Sequence, residues 1–307
     1  MKLPLSGIIP PIVTPLISNT ELDVQGLKNL IKHILDGGVH GVFALGTTGE
    51  ATNLDYNLRK EFINLTCRFV NKKVPVFVGI TDTSLQGSLE IANAAKNAGA
   101  DVLVISSPYY LPISQNEFIT YLEELVPQLP LPFMMYNMPG CTKMHMSVNT
   151  VRKAKELGAI GIKDSSGNLP YLLSLIEEFK DSPEFAVIAG SEIFIPETIK
   201  AGGHGAVAGG ANLFPSLFVE LYDACVDNET EKIDLLRQKL VEIEEKIYNV
   251  GAHSSKYIKT IKSALSAMGI CSDFVAMPFH RFDAVKTNQI KQNLKELHLM
   301  NPVYANQ

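Results

Sequence analysis

KELGAIGIK, residues 155–163, runs from the end of a helical segment through Gly158 into the apolar run that ends on Lys163. Glycine accepts the left-handed conformation that closes a helix, so the chain can turn back and lay a strand against the helix it has just finished. Three more segments are built the same way: LDGGVHGVFAL at 35–45, KNAGADVLVI at 96–105 and IKAGGHGAVAGG at 199–210. Four such joints point to one helix-to-strand unit used repeatedly.

Working outward, apolar runs lie at 7–14, 41–45, 74–80, 102–106, 133–136, 159–163, 185–189 and 205–208, which makes eight candidate strands. They are apolar throughout, as strands are when helices cover both faces of a parallel sheet. Between them the period becomes helical. Leu27, Leu30, Ile31, Ile34 and Leu35 form one stripe, and Leu58, Phe62, Leu65 and Phe69 another. Ser114 with Glu117 reads as a capping box, and Asn168 with Pro170 as a helix start. Eight strands alternating with helices predict an α/β fold of the closed (β/α)₈, TIM-barrel type. An open doubly wound sheet is the alternative, weakened because no GxGxxG follows the first strand. From about Leu221 only helical segments follow, at 232–248, 255–268 and 287–299. The expected organisation is a barrel catalytic domain over 1–225 and a C-terminal helical extension over 226–307.

Charge and composition exclude several functions. With 27 Lys and Arg against 32 Asp and Glu, the net charge of −5 offers no basic surface for nucleic acid or anionic membrane. Cys67, Cys141, Cys225 and Cys271 are scattered with no CxxC pair, which fits reduced thiols in the cytoplasm. His33, His40, His145, His204, His253, His280 and His298 show no HxxxH or HxH spacing, so no metal site is expected. His204, in the turn into the last strand, is read as structural. Pro4, Pro10, Pro11 and Pro15 interrupt the helix a signal peptide would need, and no apolar run reaches the ~18 residues of a membrane span.

In a barrel of this kind the C-terminal ends of the strands carry the chemistry. That rule collects Thr47 and Thr48, Tyr109 and Tyr110, Tyr136 and Asn137, Lys163, Gly190 to Glu192, and Gly209 with Gly210. LGTTGE, at 45–50, reads either as an ordinary strand-to-helix turn or as hydroxyls and N–H groups at a helix N-terminus, ready for a carboxylate. Lysine at a strand end is ordinarily a solvated terminator. An exposed amine is neutral only to the order of one part in a thousand at neutral pH. Apolar burial disfavours the charged form, and the amine can then attack a carbonyl and form a Schiff base. Tyrosine hydroxyls near such an amine can relay protons, although each tyrosine alone reads equally as a rim or core residue. Asp164 belongs to the opposite face of the strand from Lys163.

LGTTGE, SPYYLP, YNMPG, GIKDSSGN and GGHGAVAGGAN, in that order, resemble the motifs of the dihydrodipicolinate synthase and N-acetylneuraminate lyase superfamily over essentially the whole chain. The resemblance implies a barrel with C-terminal helices, a homotetramer built from homodimers, and class I aldolase chemistry through a lysine imine with pyruvate, without a cofactor. It makes Lys163 the Schiff-base lysine, Tyr136 the assisting hydroxyl, and Thr47 with Thr48 the pyruvate carboxylate site, with Thr47 also in the proton relay. Tyr110 resembles the relay tyrosine that reaches a neighbouring subunit's site, and Gly190 and Val207 resemble pocket-lining backbone.

Two positions depart from the pattern. Where dihydrodipicolinate synthases carry an arginine for the incoming aldehyde's carboxylate, this chain has Cys141, with Lys143 nearby as a substitute. Where sialic acid lyases carry an acidic pair, it has Glu192 alone. GAVAGGANLFP is closer in character to 2-keto-3-deoxy sugar acid aldolases. The expected activity is therefore a lyase joining pyruvate, or another 2-oxo acid, to a small aldehyde or cleaving the product. A dihydrodipicolinate synthase proper, an N-acetylneuraminate lyase and a Schiff-base dehydratase are the near alternatives. A pyridoxal phosphate protein and a non-catalytic ligand binder are the remote ones.

Overall fold

The computed structural model describes residues 3–297. His298 and the end of the helix expected over 287–299 therefore lie outside the described residues. Eight parallel strands form one sheet: β1 (Gly7–Ile8), β4 (Val42–Ala44), β5 (Val76–Gly79), β6 (Val102–Ile105), β7 (Phe133–Asn137), β8 (Gly161–Asp164), β9 (Ala186–Ala189) and β10 (Gly205–Ala206). From β4 to β10 each pairs with the next, and β10 pairs back with β1. Beyond β1, Pro11 bridges Phe43 of β4, and the Ile12 N–H donates to the Phe43 carbonyl at 2.9 Å. That bridge closes the ring into a barrel. All eight expected strands are present, most of them shorter than the apolar run, while β7 and β8 extend one residue further, to Asn137 and Asp164. A short antiparallel hairpin, β2 (Leu16–Ser18) and β3 (Glu21–Leu22), was not expected. Strands of two or three residues leave no apolar run for the sequence to display.

The barrel wall separates two cores, which is why its strands are apolar on both faces. Phe43, Phe77, Val104, Met134, Tyr136 and Ile188 point into the barrel. Val42, Val78, Leu103, Met135, Ile162 and Val187, from the alternate positions, pack outward against the helices. In α1 (Val24–Asp36) the stripe buries Leu27, Leu30, Ile31 and Ile34, with Leu35 half-buried at its edge. In α2 (Tyr56–Val70) it buries Leu58, Phe62 and Leu65. The joint glycines Gly38, Gly99, Gly158 and Gly202 take φ of +82°, +88°, +103° and +93°, the left-handed turn that a side chain would strain. The helix starts hold too. Ser114 and Glu117 form the reciprocal capping box of α4 (Gln115–Leu125), and Asn168 caps α7 (Leu169–Phe179) by accepting from the Tyr171 N–H.

After α9 (Pro215–Val226), the chain continues through α10 (Thr230–Ile243), a π-helical turn at Glu244–Tyr248, α11 (Lys256–Ala267) and α12 (Ala284–Glu296). A buried ion pair fastens this part to the barrel. Lys262 of α11 pairs with Glu50, both side chains fully buried. The Lys262 ammonium also donates to the Phe274 carbonyl at 2.7 Å, and the second Glu50 oxygen accepts from the Ala276 N–H at 2.8 Å. Among the described residues no helix is long and apolar enough to cross a membrane.

Candidate active site

Lys163 and Tyr136 are cross-strand partners at the C-terminal ends of β8 and β7. The alternation that turns Ile162 toward the helices turns Lys163 inward, and the side chain is only 4% exposed. Its Nζ lies 4.0 Å from the centroid of the Tyr136 ring and 5.3 Å from that of Phe43. It makes no ion pair among the described residues. Asp164 faces away, accepting from Asn137 Nδ2 at 2.7 Å and Ser166 Oγ at 2.8 Å. Burial raises its carboxyl above the usual range, opposed by those hydrogen bonds.

The Tyr136 hydroxyl lies 3.2 Å from Thr47 Oγ1. Thr47 belongs to the loop after β4, which Leu45 and Glu50 bracket at φ of +58° and +55°. Such conformations are costly for residues with side chains and mark a loop whose shape the fold enforces. The expected helix N-terminus is not beside it. The loop passes through a 3₁₀ turn at Ala51–Asn53, and α2 begins only at Tyr56. The Gly49 and Glu50 N–H groups bond back to Gly46 and Thr47, and those of Thr47 and Thr48 have no acceptor among the described residues. An anion here would meet hydroxyls and loop N–H groups, not a helix dipole.

A cavity of about 350 Å³ opens over β4 to β7. It brings together four expected residues, Thr47, Tyr109, Tyr136 and Cys141, and its wall includes the Phe43 and Tyr136 rings that Lys163 touches. It also recruits residues that the sequence reading left out: Asn53, Thr81 and Ser106, and from the C-terminal part Ile258 and Phe279. Ser106 directly precedes the SPYYLP motif and carries no sequence signal of its own. Cys141 is exposed on the short helix α5 (Pro139–Thr142). Lys143 is not part of the cavity wall. Its Nζ donates to its own turn, to the Gly140 carbonyl at 3.0 Å.

The remaining expected residues lie off this wall. Thr48 is buried in the loop. Tyr110 is 87% exposed at φ +82°, directed out of its own chain. Gly190 donates its N–H to the Asp164 carbonyl, and a Cβ there would come within 1.8 Å of Ser165 Oγ, so the position demands glycine. Val207 is packed in the barrel interior. Glu192 accepts from the Gly210 N–H at 2.8 Å. Burial pushes its carboxyl up to about 7, against the pull of that N–H and of the Tyr248 and Tyr257 hydroxyls. A Cβ on Gly209 or Gly210 would lie 2.2 or 2.0 Å from the Tyr257 and Tyr248 hydroxyls, so the double glycine makes room for the two rings. Glu192 is thus engaged with the C-terminal helices, away from the cavity where contact with substrate was expected. His204 accepts from the Val187 N–H through Nδ1 at 3.1 Å, the structural role expected of it.

Comparison with known proteins gives a consistent result. A model of the dihydrodipicolinate synthetase family matches residues 4–297. The 4-hydroxy-tetrahydrodipicolinate synthase of Methanoculleus marisnigri is 30% identical over 295 residues, 94% of this chain and 98% of that protein. YagE of Escherichia coli K12, provisionally named a 2-dehydro-3-deoxy-D-gluconate aldolase, is 31% identical over 298 residues, 96% of this chain and 97% of its own. Among solved structures, dihydrodipicolinate synthase from Bacteroides thetaiotaomicron matches with a TM-score of 0.93 at 47% identity, covering 96% of this chain and 100% of that chain. The structure of YagE in complex with pyruvate matches with a TM-score of 0.90, covering 96% of this chain and 99% of that one.

Proposed function

This chain belongs to the dihydrodipicolinate synthetase family, and from that premise we propose that it is a pyruvate-dependent class I aldolase working through a Schiff base on Lys163. The observation that carries the reading is a buried lysine at the C-terminal face of the barrel, held by two aromatic faces and, among the described residues, claimed by no carboxylate. In this scheme Nζ adds to the C2 carbonyl of pyruvate, and loss of water gives a protonated imine. The Tyr136 and Phe43 rings favour that cation. Tyr136, with Thr47 at hydrogen-bond distance, carries the proton to the departing hydroxyl. Thr47 and Thr48 take the pyruvate carboxylate on hydroxyls and loop N–H groups. Loss of a C3 proton then gives an enamine that attacks the carbonyl carbon of an aldehyde, and hydrolysis releases the product and Lys163. The same steps reversed cleave it.

The exposure of Tyr110 supports its assignment to a neighbouring subunit's relay, in a homodimer or a homotetramer of cytoplasmic protein. Gly190 and Val207 act as the backbone behind the imine. Borohydride reduction in the presence of pyruvate tests the reading: a stable adduct maps to the peptide carrying Lys163. An enzyme that turns over with no such adduct, or retains full activity as Lys163→Ala, does not use this mechanism.

A further inference from the structure

The cavity extends beyond the groups that the pyruvate imine uses. Thr47 and Tyr136 line one end, with the Lys163 amine against the Tyr136 ring, while Asn53 after β4, Thr81 after β5 and Ser106 after β6 line the part over the neighbouring strands. Two atoms there have no partner. Ser106 is 4% exposed and its Oγ makes no hydrogen bond, and Asn53 Nδ2 is likewise buried and unpaired. Ser106 itself is fixed, because its N–H donates to Thr81 Oγ1 at 2.9 Å. Buried polar groups left unmet are costly, so a pair of them on one cavity wall signals a missing hydrogen-bonding partner.

The charge of that partner follows from the same wall. No Lys or Arg is among the described residues that line the cavity. Its one ionisable carboxylate, Glu50, is engaged by Lys262. Arg59, the buried guanidinium nearby, is committed to Asp82 at 3.1 Å and the Leu54 carbonyl at 2.9 Å. Lys143 is turned onto Gly140. A carboxylate entering this end would be desolvated with no cation to meet it.

We propose that Asn53 and Ser106 form the acceptor subsite, reading the hydroxyl groups of an uncharged, hydroxyl-bearing aldehyde. The inference rests on the imine reading of Lys163. Nδ2 of Asn53 donates to one hydroxyl oxygen, and the Ser106 hydroxyl donates to or accepts from its neighbour. The aldehyde carbon is thereby directed toward the enamine beside Tyr136.

The test compares three acceptors with pyruvate held saturating: glyceraldehyde, propanal, which lacks the hydroxyls, and succinic semialdehyde, which carries a carboxylate. In the wild type the kcat/KM for glyceraldehyde exceeds that for succinic semialdehyde. In Ser106→Ala and in Asn53→Ala the glyceraldehyde-to-propanal ratio falls by roughly 10- to 100-fold. If Ser106→Ala does not fold, Asn53→Ala, in a partly exposed turn, gives the same readout. An unchanged ratio in the variants that fold, preference for succinic semialdehyde, or no condensation with any of the three overturns the proposal. Borohydride trapping of pyruvate on the wild type is read separately. Without an adduct the imine reading itself fails, whereas an adduct with an unchanged ratio sinks only the acceptor subsite.

Discussion

Among the described residues two lysines are buried, and their surroundings differ in kind. Lys262, fully buried between the barrel and the C-terminal helices, has the Glu50 carboxylate and the Phe274 carbonyl as partners. Burial lowers its pKa and the adjacent carboxylate opposes that shift. Lys163, at 4% exposure, has among the described residues the ring faces of Tyr136 and Phe43 and no ion pair. An ammonium held by a carboxylate is spent on holding structure together. One facing only π-clouds is left for chemistry, and natural folds tolerate such a group where function needs it.

The contrast is broken most directly at the reactive lysine. Lys163→Ala is expected to lower turnover by at least about 10³-fold with the circular dichroism spectrum unchanged. Retention of a substantial fraction of wild-type turnover would erase the distinction between the two sites. The second comparison is of stability. In Lys262→Met the Glu50 carboxylate is stranded in the interior, and urea unfolding should record a loss of about 3–5 kcal/mol. Lys163→Met strands no counter-charge and should stay within about 1 kcal/mol of the wild type. Similar losses in both variants would mean that Lys163 has a structural partner after all.

Tyr136→Phe sharpens the comparison from within the site. The phenyl ring keeps the face against Nζ but loses the hydroxyl that sits 3.2 Å from Thr47. If that hydroxyl moves protons, kcat should fall by about 10²-fold with a smaller change in KM. A rate near wild type would leave the ring, not the hydroxyl, as the residue's contribution.

The barrel was legible because its signals are local. A glycine at each joint and apolar runs between helical stripes need only a few consecutive residues to be read, and Gly38, Gly99, Gly158 and Gly202 all adopt the predicted turn. The same locality put Lys163, Tyr136 and Thr47 at strand ends. What escaped depends on distant partners. Pro11 against Phe43 and Glu50 against Lys262 are each far apart in sequence, and nothing in GTTGE or KTIKSAL announces the pairing. Asn53 and Ser106 are notable because each has one buried side-chain atom, Nδ2 and Oγ, without a hydrogen bond, a property of the folded chain alone.

The acidic side of the molecule repeats the comparison on a smaller scale. Glu50 is balanced by an ammonium, whereas Glu192 has the Gly210 N–H and two phenols. With no cation to hold its charge, burial dominates and lifts the carboxyl from 4.5 to about 7. The sign of the consequence is fixed by linkage. Between those values the folded protein binds a proton that the unfolded chain has released. The contribution of Glu192 to stability is therefore complete below its unfolded pKa and is lost as pH rises through about 7. At ~1.4 kcal/mol per unit the whole effect is at most about 3–4 kcal/mol. Glu192→Gln, a permanent mimic of the protonated side chain that can still accept from Gly210, should remove this slope. Urea unfolding of the two proteins at about pH 5 and about pH 8 measures it, the wild type losing more than the variant on going to the higher pH. If both lose equally, Glu192 is ionised in the fold across that range and is held by a partner stronger than an N–H and two hydroxyls.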